Sequence, residues 1–315
     1  MFALCIESSQ RKGMGHFFRA LNFIDFLKSQ KEDYIVFLNQ DPTASEILNA
    51  KNIRFENVDL IDYTSGWEIR LINLYSVDVW INDRLDTDSR HAQNVKKKGI
   101  KLITFDDNGS GVELSDMHIA ALAFAETSRM PEHKTCKGIE YLILNKDIAK
   151  YKKLRSSIKK ILVTLGGSDT YGVTIAVINI LKEIGTAADI HLGPSFVHHE
   201  ELKTVIDDRY RIIGRVPSLI ELYSQYDLAI TGGGITPFEA NASGLPCVII
   251  ANEMFEIANG KFLSSLGSSV FAGFYKDIDE YAFVLPRDLE MMSRTGMNSI
   301  TLNGAENVYR QIMSL

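Results

Sequence analysis

A histidine lies where an apolar segment gives way to a helical pattern. The segment Gly13-Met14-Gly15-His16-Phe17-Phe18-Arg19 follows the apolar run Phe2–Ile6 and opens the amphipathic stretch Phe17–Gln30. Its two glycines allow a tight turn and a close approach of the backbone to a ligand. The N-terminus of the helix offers N–H groups to an anion, and an imidazole beside it can accept or donate a proton near neutral pH. His16 is therefore predicted to be a general base or acid, with helix capping or packing as the alternative.

A second glycine-rich segment, Gly166-Gly167-Ser168-Asp169, follows the apolar run Lys159–Leu165. Its glycines, its hydroxyl group and its backbone N–H groups can hold the phosphates of a diphosphate. An ordinary turn between a strand and a helix has the same composition. Gly166, Gly167, Ser168 and Asp169 are therefore candidate ligand-binding residues, with a structural turn as the alternative.

The third segment runs from Thr231-Gly232-Gly233-Gly234-Ile235-Thr236-Pro237-Phe238-Glu239 to Gly244-Leu245-Pro246. The pattern predicts a strand, a glycine-rich turn and then a helix with Thr236 near its cap and a proline in its first turn. Glu239 lies about one turn into that helix, where a carboxylate can accept hydrogen bonds from a ribose diol while the helix N-terminus faces phosphate. The alternative for Glu239 is a solvated helix residue.

Three acids, Asp83, Asp106 and Asp107, follow apolar runs in the first half. We expect them at the same edge of a sheet as His16. No second group of ligands has usable spacing, so neither a metal nor a cofactor is expected. Turn-forming and capping roles explain Asp106 and Asp107 equally well. The histidines of polar segments are expected to be exposed and without a chemical role: His91, His198 and His199.

These segments need a scaffold that brings strand ends together. Apolar runs alternate with helical patterns along the 315 residues, which favours mostly parallel sheets covered on both faces. The length suits two domains. The predicted fold class is α/β, with two doubly wound Rossmann-like domains, residues 1–145 and 146–315, facing each other across a cleft. Ligands of such domains bind outside the carboxyl ends of the strands, so the ligand is expected in that cleft.

Apolar periodicity gives the individual elements. The predicted strands are Phe2–Ile6, Tyr34–Leu38, Val77–Ile81, Leu102–Phe105, Lys159–Leu165, Ile190–Leu192, Tyr210–Ile213, Leu228–Thr231 and Pro246–Ala251. The predicted helices are Phe17–Gln30, Ser45–Asn52, Ser89–Lys98, Val173–Ile184, Leu219–Tyr226, Thr236–Ser243 and Ile257–Leu266. Residues 113–157 show no clear periodicity apart from Ile139–Leu144.

Composition and charge exclude several classes of protein. A net charge of −6 argues against a general nucleic-acid binder, which needs a basic face. Cys5, Cys136 and Cys247 are far apart and form neither a metal motif nor a disulfide framework, which favours a cytoplasmic protein. No signal peptide or transmembrane-length run is visible, so stable membrane insertion is not expected. The sequence does not determine the oligomeric state.

Together the three glycine-rich segments resemble the GT-B nucleotide-sugar enzymes. The second half looks like the donor domain of the N-acetylglucosaminyltransferase that makes lipid II. The matching residues are Gly232 to Gly234, Glu239, Gly244 with Pro246, and Asn259 near the start of the next helix. The resemblance implies a donor-binding C-terminal domain, an N-terminal domain for the sugar or acceptor, and Asn259 beside the donor.

The resemblance is closer to the pseudaminic-acid-pathway UDP-sugar hydrolase, which is grouped with spore-coat polysaccharide glycosyltransferases. The shared residues are Gly13, Gly15, His16 and Arg19, the strand-end Asp83, Phe105-Asp106-Asp107, Gly138 with Tyr141, and Gly166 to Asp169. This implies a UDP-sugar partner, a 2,4-diacetamido-2,4,6-trideoxyhexose as its sugar, no required metal, and Gly13, Gly15, Arg19 and Asp83 as substrate-binding residues. It also implies that His16 activates water and that Glu239 holds the ribose.

Two departures affect the first domain. The family hydrolase has a tyrosine two residues after its strand-end aspartate, where this chain has Leu85, and an asparagine-bearing segment that is missing after Ser115-Asp116. Three functions therefore stay open: a hydrolase, a glycosyltransferase whose His16 deprotonates an acceptor hydroxyl, and a non-catalytic nucleotide-sugar-binding protein. A transferase needs an acceptor surface, for which Gly66–Tyr75 is a candidate apolar patch; a buried helix face is the other interpretation.

Overall fold

The computed structural model describes residues 1–8, 14–122, 130–167, 169–214, 216, 218–279 and 283–315. The chain forms two compact units, of which the first comprises Met1–Leu144 with Asn303–Leu315 and the second Asn145–Leu302. The predicted division at residues 145 and 146 had placed the last residues in the second domain, whereas they pack in the first unit. Each unit has its own sheet and its own hydrophobic core.

The first sheet has seven strands in the order β3-β2-β1-β4-β5-β6-β7. In chain order they are β1 Phe2–Ile6, β2 Tyr34–Leu38, β3 Phe55–Asn57, β4 Val79–Asp83, β5 Lys101–Phe105, β6 Met117–Ala120 and β7 Thr135–Lys137. Neighbouring strands pair in parallel throughout. The central strands β1 and β4 are buried along their whole length, which explains their unbroken apolar runs.

The second sheet has six parallel strands in the order β10-β9-β8-β11-β12-β13. They are β8 Ile161–Thr164, β9 Ala188–His191, β10 Tyr210–Ile213, β11 Leu228–Gly232, β12 Cys247–Ala251 and β13 Ser269–Phe274. The thiols of Cys5 on β1 and Cys247 on β12 are buried. Burial in the two cores raises the pKa of both thiols to about 12.

Helices alternate with these strands. In the first unit they are α1 Gly15–Ser29, α2 Pro42–Ala50, α3 Trp67–Tyr75 and α4 Ser89–Lys96, and the chain returns there with α11 Gly304–Met313. In the second they are α5 Val173–Glu183, α6 His199–Val205, α7 Ile220–Tyr223, α8 Thr236–Ala242, α9 Glu256–Leu266 and α10 Leu289–Ser299. In the part of the chain that the structure describes, no helix has the length and apolar character needed to span a membrane.

The strand order reverses once in each sheet, and this fixes where ligands can bind. In the first sheet the chain leaves β1 toward β2 on one side and continues with β4 on the other. In the second sheet the chain likewise leaves β8 toward β9 on one side and continues with β11 on the other. A crevice forms outside the carboxyl ends of two strands at such a switch point, because their connections run to opposite faces. The predicted chemistry-bearing segments follow β1, β4, β8 and β11.

The patch predicted as a possible acceptor surface is largely a helix face in the core. Trp67, Leu71 and Ile72 of α3 are buried against Phe37 and Trp80, while Leu74 is 63% exposed. The buried-helix interpretation therefore describes most of Gly66–Tyr75.

Candidate functional site

At the switch point of the first sheet, His16 is oriented by an aspartate. Its ring nitrogen Nδ1 lies 2.6 Å from Oδ1 of Asp83, the last residue of β4. Asp83 is 3% exposed, whereas the His16 side chain keeps 23% of its surface exposed. Nη2 of Arg19 also lies 3.1 Å from Nδ1, but the shorter contact is to the carboxylate. This contact favours the tautomer with its proton on Nδ1, which leaves Nε2 as the basic nitrogen. Nε2 has no hydrogen-bond partner within the described residues.

Arg19 joins this couple to the next strand. One turn further along α1, its buried guanidinium donates to Asp83 through Nε at 3.0 Å and Nη2 at 2.6 Å, and to Asp106 through Nη1. It also lies over the ring of Phe105. Burial by itself lowers the pKa of Arg19, but the two carboxylates outweigh it and raise the pKa. Burial alone would raise the pKa of Asp83; the charge of Arg19 and the contact with His16 instead lower it. Asp83 is therefore an ionised, fixed anchor.

The two acids that follow β5 have different roles. Asp106 accepts from Arg19 and from the backbone N–H of Ala121, so it belongs to the ion cluster. Asp107 accepts from the backbone N–H of Thr87 at 3.0 Å and of Gly109 at 2.8 Å, which is the turn-forming role. Among the described residues, no group of three or more histidine, cysteine or acidic side chains could hold a metal ion.

Beside β8, the structure gives Asp169 a capping role. Its two carboxylate oxygens accept from the N–H groups of Val173 at 2.7 Å and Thr174 at 2.9 Å, at the start of α5. Gly166, with φ of 91°, and Gly167 face open space. Ligand contact therefore stays a prediction for the two glycines, while the Asp169 carboxylate is already engaged. Of the other predicted residues, Gly15 begins α1, and Gly13 and Ser168 lie outside the described residues. Arg19 and Asp83 are hydrogen-bonded to each other, and their contact with a substrate stays a prediction.

The turn after β11 is held tightly by the start of α9. The Gly233 N–H donates to Oε2 of Glu256 at 3.2 Å, and its carbonyl accepts from Nδ2 of Asn259 at 2.9 Å. A Cβ on Gly233 would lie 2.6 Å from Cβ of Glu256, so only glycine fits. Asn259 is fully buried. Its observed role is to shape this turn, and its predicted contact with a ligand stays a prediction. The sequence places Glu256 just before the family position Asn259, and its contact with the Gly233 turn is not evident from the sequence alone.

Thr236 and Glu239 lie on the short helix α8 that this turn introduces. Thr236 is the first residue of α8, and no side chain among the described residues caps the helix. Glu239 keeps some exposure, yet burial of its carboxyl group raises its pKa to about 7. The hydroxyl of Tyr223 donates to its Oε2 at 3.3 Å. A carboxylate placed one turn into a helix beside a glycine-rich turn is suited to accept hydrogen bonds from a diol.

The expectation that His91 is exposed was wrong. It is fully buried, with Nδ1 at 3.0 Å from Glu68 and Nε2 at 3.2 Å from Asn82. Burial lowers its pKa, against the raising effect of Glu68. The polar sequence of α4 gave no sign of this burial, because only one face of the helix is buried and His91 lies on that face. Leu85, at the position of the family tyrosine, is 43% exposed.

Sequence comparison shows which known proteins this chain is similar to. No protein-family model matches the chain. An uncharacterized protein of Methanocaldococcus jannaschii is 30% identical over 270 residues, which are 79% of this chain and 55% of that protein. The spore coat polysaccharide biosynthesis protein SpsG of Bacillus subtilis is 24% identical over 282 residues, 85% of this chain and 82% of that protein. The chain thus spans about half the length of the first relative.

Solved structures show the fold. MurG of Acinetobacter baumannii superposes with a TM-score of 0.73 at 15% identity, covering 100% of this chain and 99% of that chain. HepE of Anabaena, solved in complex with UDP, gives a TM-score of 0.67 at 13% identity over 100% of both chains. The predicted fold class is confirmed, whereas a hydrolase of the pseudaminic acid pathway stays a prediction. The chain therefore has the GT-B fold of these glycosyltransferase structures and is similar, at low identity, to a spore coat polysaccharide biosynthesis protein.

Proposed function

We propose that this protein is a glycosyltransferase of polysaccharide biosynthesis that uses a UDP-sugar as donor. The observation that carries the proposal is the His16–Asp83 couple, which holds a basic Nε2 at a switch point of the sheet. The similarity to SpsG and to the UDP complex of HepE supports a nucleotide-sugar donor. In this proposal the second unit binds the nucleotide and the first unit supplies the base.

The proposed reaction needs one proton acceptor and no covalent intermediate on the protein. Nε2 of His16 takes the proton of an acceptor hydroxyl, whose oxygen forms a bond to the anomeric carbon as the bond to the diphosphate breaks. Gly166, Gly167 and the turn Gly233–Thr236 offer backbone N–H groups to the departing diphosphate. Gly233 itself donates to Glu256, so Gly234 and Thr236 are the better candidates within that turn. Glu239 accepts hydrogen bonds from the ribose.

Hydrolysis of the same donor is the second candidate, because water can replace the acceptor hydroxyl at His16 without any other change. The closer family resemblance favours it, while Leu85 in place of the family tyrosine speaks against it. A protein that binds the nucleotide sugar without turnover is the third. The relatives favour transfer over both, and cytoplasmic location is part of the same proposal.

One assay separates the three functions. The purified protein is incubated with a panel of UDP-sugars, including 2,4-diacetamido-2,4,6-trideoxyhexoses, with and without candidate acceptors, while UDP and free sugar are measured. Transfer predicts UDP release that depends on an acceptor, with no matching free sugar. Equal release of UDP and free sugar without an acceptor establishes hydrolysis. Binding of UDP-sugar with no release under any condition contradicts hydrolysis of these donors and favours the non-catalytic function over transfer to the acceptors in the panel.

A further inference from the structure

The glutamate of the proposed ribose site has a partner that its sequence neighbourhood does not reveal. Tyr223 ends α7, sixteen residues before Glu239, and it is fully buried. Its hydroxyl donates to Oε2 of Glu239. Within the described residues, Glu239 has no other side-chain hydrogen bond, so Oε1 is the oxygen left to accept from a ligand.

A buried arginine ties together the two helices that carry this pair. Arg155 is 1% exposed and has no carboxylate partner among the described residues. Its guanidinium donates to four backbone carbonyls, those of Lys153, Tyr223, Tyr226 and Ser243. Tyr223 is the last residue of α7, Tyr226 lies three residues beyond that helix, and Ser243 directly follows α8. Burial lowers the pKa of Arg155 to about 10, so it stays charged at neutral pH.

Carbonyl groups at helix C-termini lack intrahelical partners and carry partial negative charge. A single guanidinium that satisfies carbonyls at both ends fixes the distance between the helices, because its donors form a rigid planar fork. Holding a charged arginine in the interior for this purpose is costly. The hydrogen bonds of Arg155 therefore hold α7 and α8 in place relative to each other. They thereby also maintain the contact between the Tyr223 hydroxyl and the Glu239 carboxylate.

We propose that Tyr223 is a positioning residue: held by Arg155, its hydroxyl fixes one oxygen of Glu239 so that the other faces the vicinal diol of the bound nucleotide. The inference rests on the proposed function, which places a ribose at Glu239. The elements packed against α8 are α7, α9, α10, β11 and β12, with Phe262 of α9 stacked on Phe238 of α8. The acid at the start of α9, Glu256, accepts from the backbone N–H of Gly233. Apart from Tyr223, they bring the Cys247 thiol near the pair, while Glu290 and Arg294 of α10 pair with each other at the surface.

The test compares Tyr223→Phe with Tyr226→Phe in the full chain. Tyr226 is also buried near the end of α7, but its hydroxyl donates to Asp189 at 2.7 Å, so the control loses the same atom away from Glu239. Affinity is measured by calorimetry for UDP and for 2′,3′-dideoxy-UDP, which lacks the diol. Wild type and Tyr226→Phe should prefer UDP by about tenfold, and Tyr223→Phe should lose most of that preference. A purely structural lesion would weaken both nucleotides alike.

A double-mutant cycle and a pH series complete the test. Tyr223→Phe should have no further effect on UDP affinity in a Glu239→Ala background, because the Tyr223 hydroxyl then has no carboxylate to position. Burial raises the pKa of Glu239 and the Tyr223 hydrogen bond lowers it. The variant should therefore lose UDP affinity at a higher pH than wild type as the pH falls.

The outcomes separate the inference from the function on which it rests. If wild type prefers UDP and Tyr223→Phe retains the full preference, Tyr223 does not position Glu239 and the inference is overturned alone. If wild type does not distinguish UDP from the dideoxy nucleotide, or binds neither, the ribose site at Glu239 is wrong and the inference fails with it.

Discussion

At the scale of single residues, the centre of the first unit is a chain of hydrogen-bonded ion pairs that ends on a histidine. His16 is held by Asp83, Asp83 by Arg19, and Arg19 by Asp106. Each member is oriented by the next, and the last is fixed by the backbone N–H of Ala121. This resembles the logic of catalytic triads, in which a buried carboxylate sets the tautomer and direction of a histidine.

Replacing His16 with alanine should therefore lower the rate of UDP release about 10²- to 10⁴-fold, the usual contribution of a general base. UDP affinity should change little, because the proposed nucleotide site lies in the second unit. The matched control is His133→Ala, an exposed histidine of the same unit. Unchanged turnover in His16→Ala would remove the histidine from the mechanism.

Asp83→Asn tests the ion cluster through stability. The variant leaves buried Arg19 with one carboxylate instead of two, and we expect a loss of about 3 kcal/mol in the free energy of unfolding. Because the pKa of Asp83 is lowered in the folded state, its contribution is present above its unfolded pKa of about 3.9 and is lost as the pH falls. Urea unfolding across the acid range should show a shallower pH dependence for the variant.

The control for that series is Asp147→Asn, whose carboxylate pairs with Lys150 at an exposed site. It should change the free energy of unfolding by less than about 0.5 kcal/mol. Equal effects of the two variants would mean that burial does not strengthen the Asp83 cluster.

At the scale of elements, the turn between β11 and α8 depends on α9, which follows one strand later. Glu256 accepts a hydrogen bond from the backbone N–H of Gly233, and Asn259 donates one to the backbone carbonyl of Gly233. The positions of Thr236 and Glu239 therefore depend on packing between elements and on a glycine at the point of contact.

Gly233→Ala should destabilise the protein by about 2 kcal/mol, because the new methyl group meets the backbone and Cβ of Glu256. UDP binding should weaken as the turn shifts. Gly214→Ala is the control, since a Cβ there meets no atom of the described residues within 4 Å. Thermal unfolding and nucleotide titration measure both effects, and equal stability of the two variants would contradict the close contact.

At the scale of the whole molecule, the chain returns to its first unit at the end. Tyr309 of α11 packs against Phe2 and Phe26, and its hydroxyl donates to Glu32 at 2.6 Å. Gly304 lies against the backbone of Leu142, where a Cβ would clash. The last helix is thus part of the first core, although 158 residues of the second unit (Asn145–Leu302) separate it from the rest of that unit.

Tyr309→Ala should accordingly destabilise the first unit by about 2 kcal/mol, through lost aromatic packing on a half-buried side chain. Tyr309→Phe keeps the ring and should lose less than about 1 kcal/mol. Hydrogen exchange of β1 and α1 reports the first unit directly. Destabilisation confined to the strands of the second unit would refute the assignment of α11.

The sequence by itself determined the α/β class and most central elements, because buried parallel strands are continuous apolar runs and their helices carry a clear period. The predicted bounds of Phe2–Ile6, Tyr34–Leu38 and Tyr210–Ile213 coincide with β1, β2 and β10. The strands β3, β6, β7 and β13 were missed; β3 and β7 are only three residues long and, like β13, incompletely buried.

Only the tertiary structure decided which side chains meet. Asp83 and His16 are 67 residues apart, and strand order brings them together. The same holds for Arg155, which reaches carbonyls up to 88 residues away, and for the burial of His91. Such contacts depend on the order of strands and on which face of a helix is covered. Local composition reveals neither the strand order nor the covered helix face. The motifs could therefore be found in the sequence, while the residues that contact them could not.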